Sequence, residues 1–344
     1  MKRGSNDKPH NSFEQLEYVP VEEWLVETEE ERTELIRTSP KTIVNPVTSP
    51  DVSMSWSMNP YAGCEHGCPY CYARNSHQYW GYNSGSDFET KILYKENAAE
   101  LLRKKLNTPS WNGEPIMLSG NTDCYQPVER KLGLTRQLLE VALEYGQPIG
   151  VITKNALVLR DLDLLKEMAK RDLIRVAISV TTLDAELQRA LEPRASAPYK
   201  RLRAIRELSE AGIPTVAMIA PIIPGLNSHE ILPLMKATSE AGAVQAKFIT
   251  VRLNGQLEGI FENWLEEHYP ERKSKVMNAI RQTHNGSVKA FRYGIRMAGT
   301  GRVSESLRQA YAVGQRRYYS NKKVPNLSTE HFVKLKDRQL GLFL

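Results

Sequence analysis

Only four of the 344 residues are cysteine. That is too few for a disulfide-stapled secreted scaffold and ordinary for a reducing compartment. No apolar run approaches the eighteen or so residues of a membrane span. The opening stretch, Met1 to His10, leads into polar chain and lacks the apolar core of a secretory signal. The expectation is a cytoplasmic protein with no membrane partner. Internal repeats and low-complexity tracts are also missing. A hydrophobic fraction of 41% is enough for a substantial core. Net charge is only +6, but it is unevenly placed. Residues 281–344 carry 13 basic and 3 acidic side chains, a net of +10, which leaves −4 for the rest. Such a basic end could meet phosphate groups, or could be a solvated tail.

The scarce cysteines are concentrated. Three of them fall in Asn59-Pro-Tyr-Ala-Gly-Cys64-Glu-His-Gly-Cys68-Pro-Tyr-Cys71-Tyr-Ala-Arg74, spaced C-x3-C-x2-C. Thiolates that close in sequence are metal ligands or disulfide partners. Gly63 and Gly67 let the backbone turn tightly enough for three sulfurs to approach one another. An iron–sulfur cube is commonly held by cysteine thiolates, four when every iron has a protein ligand. Three local thiolates would leave one iron open to a substrate or cofactor, as an open zinc position does. Tyr70 and Tyr72 flank the last cysteine and could shield a cluster. Two plainer readings stand beside this one: a closed zinc site with Cys124 or His66 as fourth ligand, and a fully ligated electron-transfer cluster.

The periodicity divides the chain into an N-terminal extension (1–54), an alternating core (55–253) and a helical, basic C-terminal region (254–344). In the extension, Glu22-Glu23 and Glu27 through Glu34 give a short acidic helix at best, and Pro40, Pro46 and Pro50 keep the chain extended. In the core, strands are expected at 56–59, 116–119, 149–153, 176–180, 215–220 and 246–251. Helices are expected at 97–106, 134–145, 159–170, 184–191, 199–211 and 229–241. Strands alternating with helices argue for parallel βαβ units. Six strands are too few for the eight-stranded barrel. After Arg252 the pattern becomes helical, at 257–268, 272–283 and 304–319, with a Gly-rich basic stretch from Asn285 to Arg302 and an arm after Asn321.

Cys64-x3-Cys68-Pro-Tyr70-Cys71, with an aromatic before the last cysteine, resembles the signature of the radical SAM enzymes. The wider run, with Cys71-Tyr-Ala-Arg74 and Asn121-Thr-Asp-Cys-Tyr-Gln-Pro127, resembles the spore photoproduct lyase-like (DNA repair photolyase-like) subgroup, over roughly residues 45–300. The resemblance implies an α/β fold: a partial (β/α)6 TIM-like barrel of radical SAM type with N- and C-terminal extensions. It implies a 4Fe–4S cluster on Cys64, Cys68 and Cys71, and S-adenosylmethionine (SAM) on the fourth iron. An electron from a flavodoxin- or ferredoxin-type reductant would cleave SAM to methionine and a 5′-deoxyadenosyl radical. That radical would abstract hydrogen from a substrate in the barrel mouth.

In parallel α/β folds the chemistry gathers at the carboxyl ends of the strands. By the resemblance, Gly120, Asn121, Thr122 and Asp123 face the SAM amino group, although the usual Gly-Gly-Glu form is absent. An Asx turn is the plain reading of that stretch. Lys154 would pair with the SAM carboxylate, Ser179 would contact the ribose, and the rigid loop from Ala220 to Asn227 would pack the adenine. Glu192-Pro-Arg194, with Arg201, would form a carboxylate clamp or a structural ion pair. Cys124, Tyr70 and Tyr72 are the candidates for hydrogen-atom transfer. The subgroup's pattern puts Asn121, not Cys124, at the donor position. Tyr311 and Tyr318, seven apart on a basic helix, could stack on single strands. The substrate stays open among DNA, RNA, a peptide and a small molecule; nucleic acid is favoured by the resemblance and the basic end. The competing class is a non-catalytic iron–sulfur sensing or binding protein that contacts nucleic acid, and a zinc-stabilised binding module is a third.

Overall fold

A computed structural model describes residues 3–13 and 32–335. Ten strands are formed: β1 (Glu34–Thr38), β2 (Val44–Pro46), β3 (Trp56–Met58), β4 (Tyr61–Ala62), β5 (Lys91–Lys95), β6 (Ile116–Leu118), β7 (Ile149–Thr153), β8 (Ile174–Ser179), β9 (Thr215–Ile222) and β10 (Gln245–Thr250). Seven make the main sheet, in the order β10-β9-β8-β7-β6-β3-β2. Every pairing from β3 to β10 is parallel, and only β2 runs against its neighbour. These six parallel strands are the six that the periodicity predicts. Helices follow them: Leu134–Tyr145 after β6, Leu162–Ala169 after β7, Pro198–Glu210 after β8 and Ile231–Glu240 after β9. The result is the partial-barrel architecture.

The outward strand residues are apolar and meet those helices. Ile149, Val151, Val176, Ile178, Ala217 and Ile219 share one buried cluster with Leu138, Leu139, Leu165, Ala204 and Leu234. Full burial of one leucine side chain stabilises by about 2 kcal/mol, so packing holds these helices more firmly than their intrinsic propensity does. Leu134–Tyr145 ends at Gly146, whose φ of 64° lets its N–H return to the carbonyls of the last turn.

Both extensions differ from the sequence reading. Of the expected acidic helix, Glu22 through Glu31 lies outside the described residues and Glu34 instead begins β1. β1 pairs in parallel with β5, and β4 pairs antiparallel to β5, giving a second, three-stranded sheet. β2 adds an edge to the main sheet. These strands are two to five residues long, too short to set up a period, and β1 and β4 find β5 across more than thirty residues.

At the other end, helix Gly301–Tyr318 covers the free edge of β10. Tyr311 Oη and Gln315 Nε2 both donate to the Ala246 carbonyl, at 2.7 and 2.9 Å. The Tyr311 ring lies 4.7 Å from Phe248, and Tyr318 packs against the core. The two tyrosines are therefore turned into the protein, which corrects the expected stacking surface. The segment that follows, as far as residue 335, is fastened at the other end of the strands. Ser328 donates to the Asp172 carbonyl and Val333 to that of Tyr145, both at 2.9 Å. Arg175 donates to the Pro325 carbonyl. Those partners precede or begin β7 and β8, so the segment runs beneath the amino ends of the strands.

The open side of the sheet is bridged by side chains. Asp51, between β2 and β3, accepts from the Gly294 N–H at 2.7 Å and forms an ion pair with Arg296. Thr250, at the end of β10, donates to the Met297 carbonyl at 2.8 Å. Two edges that never pair are thus tied together.

Candidate active site

The cysteine loop leaves β4 and is fixed from below by main-chain contacts. Cys64 N–H donates to the Phe88 carbonyl at 2.8 Å. Gly63 has φ +82°, and a Cβ there would stand 2.9 Å from the Lys91 carbonyl oxygen, so only glycine fits. The loop is held from inside by Arg74, which is completely buried. Its Nε donates to the Cys68 carbonyl at 2.8 Å, and a second nitrogen donates to the Ser84 and Gly85 carbonyls at 3.1 and 2.8 Å. Its third nitrogen pairs with the equally buried Glu89. Glu89 also accepts from the Gly4 N–H at 2.8 Å, so the N-terminal segment is drawn across the loop beside Gly67. Sequence reasoning assigned no role to Arg74 or Glu89. The only signal was Arg74 three residues after the last cysteine.

All four cysteines are free thiols. Cys64 and Cys68 are buried and Cys71 partly so. Burial pushes the Cys68 thiol well up, the Glu192 carboxylate adds to this, Lys154 opposes it, and Cys71 and Cys64 add further. Cys71 is raised by burial and by Cys64. Three sulfurs therefore share one electrostatic environment, with a cation beside them. Among the described residues no three His, Cys, Asp or Glu side chains converge as ligands of a single ion do. Thiolates that each take a different iron of a cluster need not converge. The donor set fits an iron–sulfur cluster, whose metal would relieve the cost of ionising these thiols.

The loop after β6 docks on the cysteine loop. Asn59, another residue the sequence reading left without a role, accepts through Oδ1 from the Gly120 and Asn121 N–H groups at 2.8 and 3.0 Å. Tyr72 donates to the Gly120 carbonyl, and Thr122 Oγ1 donates to the Gly63 carbonyl at 2.6 Å. Asp123 is fully engaged. It accepts from Thr153 Oγ1 and Lys154 N–H at 2.7 Å each, and from Tyr125 N–H at 2.9 Å. Its carboxylate also lies 3.4 Å from His66 Nδ1. Burial opposes its ionisation, but His66, Thr153 and Lys154 prevail and hold it down to about 2. Burial likewise opposes the charge on His66, but Asp123 and Cys64 raise it to about 10.

Lys154 stands at the end of β7 beside Cys68, Cys71 and Glu192. Burial disfavours its charge, and those neighbours restore it. Ser179 is buried at the end of β8, and its carbonyl accepts from Arg201 at 3.0 Å. Glu192 is a buried hub that pairs with Arg201 and accepts from Tyr70 and from Thr181 Oγ1, the last at 2.7 Å. Of the two readings of this stretch, the structure has the ion pair. Arg194 is turned away, to Glu65 at 2.9 Å and Thr33 at 3.4 Å. The Ala220 carbonyl faces Thr181 Oγ1 at 3.4 Å. Asn227 staples the loop after β9, donating to the Thr181 and Pro221 carbonyls and accepting from Ile223 N–H. Cys124 is fully buried in the apolar core, its N–H on Ser119 Oγ at 2.8 Å. Neither Tyr70 nor Tyr72 enters its hydrogen bonds, which go to Ser119 and Thr135.

A partial parallel barrel with three thiols at its mouth and a partly buried cation beside them fits an iron–sulfur enzyme of the barrel class. The sequence profile of the Radical SAM superfamily matches residues 58–237, and the chain belongs to that superfamily. An uncharacterized protein of Mycobacterium tuberculosis strain H37Rv is 34% identical over 229 residues, 66% of this chain and 67% of its own. A Radical SAM Nalpha-GlyT isomerase of Pseudomonas phage M6 is 26% identical over 172 residues, 50% of this chain and 34% of that one. Among solved structures, spore photoproduct lyase complexed with dinucleoside spore photoproduct superposes with a TM-score of 0.61. The match covers 83% of this chain and 79% of the lyase at 17% identity, a likeness of fold. Membership makes the protein a radical SAM enzyme, served by an iron–sulfur cluster, SAM and an electron donor. No helix among the described residues is long and apolar enough to cross a membrane.

Proposed function

We propose that Cys64, Cys68 and Cys71 hold a 4Fe–4S cluster, that SAM binds beside it, and that the enzyme acts on nucleic acid. Once bound, cluster and SAM supply reductive cleavage to methionine and a 5′-deoxyadenosyl radical that takes a hydrogen atom from the substrate. The electron comes from a flavodoxin- or ferredoxin-type donor. The carrying observation is the set of three neighbouring thiols clamped by Arg74 at the carboxyl ends of six parallel strands.

The chain's own residues divide the remaining work. Lys154, kept charged, offers a partner for the SAM carboxylate. Gly120, Asn121 and Thr122 line the approach to its amino group, and Asp123 positions this loop rather than binding, because its oxygens are already used. Ser179 borders the ribose, and the stapled loop from Ala220 borders the adenine. Arg194 braces the back of the cysteine loop through Glu65. Tyr72, 53% exposed, stands at the mouth, whereas Tyr70 is locked onto Glu192.

Support for a nucleic-acid substrate comes from the loop beside the end of β10. Ala290 exchanges hydrogen bonds with the Asn254 side chain at 2.8 and 3.1 Å, which fixes the loop at the mouth. Beyond it Phe291 is 67% and Tyr293 52% exposed, next to the exposed Lys289 and Arg292. Exposed rings among cations suit stacking on unpaired bases. The lyase that shares the fold was solved with a dinucleoside photoproduct. The test is anaerobic purification of the wild type and of Cys64→Ala, Cys68→Ala and Cys71→Ala. The wild type should carry one 4Fe–4S cluster, and each variant should lose its charge-transfer absorbance. Full iron content in all three variants would remove the basis of the proposal.

A further inference from the structure

The barrel has a solvent-reached interior whose lining is readable from the strand register. Ser179, Met218 and Lys247 stand side by side across β8, β9 and β10. One row further in are Ile152, Ala177, Val216 and Gln245. Ile152, Ala177 and Met218 are partly exposed and Lys247 is exposed, whereas Val176, Ile178, Ala217 and Ala246, on the opposite face, are buried. Phe248, the next residue along β10, points outward onto Tyr311. Side chains alternate along a strand, so Lys247 points inward.

The inward positions of β6 to β10 and their immediate ends carry three cations, Lys154, Arg175 and Lys247, and no Asp or Glu. Arg175 donates to the Pro325 carbonyl, and Lys154 faces Cys68, Cys71 and Glu192 at the place proposed for SAM. Among the described residues Lys247 enters no hydrogen bond or ion pair with another group. It stands in the row of Met218 and Ser179, three residues before the end of β10, with the apolar Ile152, Ala177 and Val216 in the next row. A compact, free ammonium beside a low-dielectric wall attracts anions more strongly than one on the outer surface.

We propose that Lys247 binds a phosphate of the substrate inside the barrel, next to the nucleotide that enters the mouth. This rests on the nucleic-acid reading, to which it adds a second anchoring point. Binding of a fluorescent single-stranded oligothymidylate is to be followed by anisotropy over a salt series, for the reconstituted wild type and three variants. Lys247→Gln should weaken binding about tenfold at low salt, as loss of a charged hydrogen bond does. It should also flatten the salt dependence by about 0.7 in slope, the share of one phosphate on a single strand. Lys247→Arg should keep both. Lys247→Gln with unchanged affinity and slope, alongside a Phe291→Ala variant that binds weakly, would overturn the proposal and leave the nucleic-acid reading intact. Absence of wild-type binding at low salt would remove both.

Discussion

Arg74 and Glu89 are the residues whose loss the cysteine loop should tolerate least. Both side chains are fully buried, and breaking such a pair leaves one uncompensated charge in the interior. Arg74→Ala should therefore cost about 3–5 kcal/mol in denaturant unfolding and should purify with little iron; wild-type stability would contradict the anchoring role. His77 gives a pH signature. It is fully buried beside Tyr82 and Phe88, and burial above all holds it down to about 4. The unfolded imidazole takes its proton near 6.5. Between those values the folded state binds fewer protons, so stability is present above pH 6.5 and falls as pH drops towards 4, by about 3 kcal/mol in all. His77→Phe should remove that component, and parallel stability curves for the two proteins would contradict it. These residues also show what a sequence conceals. The three cysteines are legible because their spacing is local and chemical. Arg74 and Glu89, or Glu192 with Tyr70, act through contacts that only folding creates. Asp123 was legible as a loop residue, but its four partners were not.

The elements were easier to read where they repeat. The six parallel strands and the helices between them carry long apolar periods, and burial on the outward face enforces those periods in the fold. β1, β4 and β5 are short and paired across the chain, so nothing local announces them. The C-terminal helix was predicted, but its direction of facing was not: Tyr311 and Gln315 satisfy the edge of β10, which otherwise presents unpaired main-chain groups. The segment after it fastens beneath the barrel, with Phe332 against Gly113. Deleting residues 320–344 should therefore lower the thermal melting temperature by several degrees, consistent with about 1–2 kcal/mol for a protein of this size, while cluster assembly and SAM cleavage persist. Normal melting together with lost SAM turnover would mean that this segment serves the mouth instead.

At the scale of the whole molecule, two openings of one barrel are treated differently. The amino end is closed by the C-terminal segment, and the carboxyl end holds the thiols, Lys154 and the aromatic loop around Phe291. Asp51 and Arg296 tie the two edges of the open side to each other. An electron delivered at the carboxyl end is close to a substrate that enters there. The chemistry proposed for this mouth is reductive SAM cleavage. The direct measurement is incubation of anaerobically reconstituted protein with dithionite and SAM, followed by chromatography for 5′-deoxyadenosine. The expected result is slow formation of 5′-deoxyadenosine with equal methionine, lost in Cys64→Ala. A fully loaded cluster that neither binds SAM by calorimetry nor yields 5′-deoxyadenosine would contradict it and favour an iron–sulfur sensing protein.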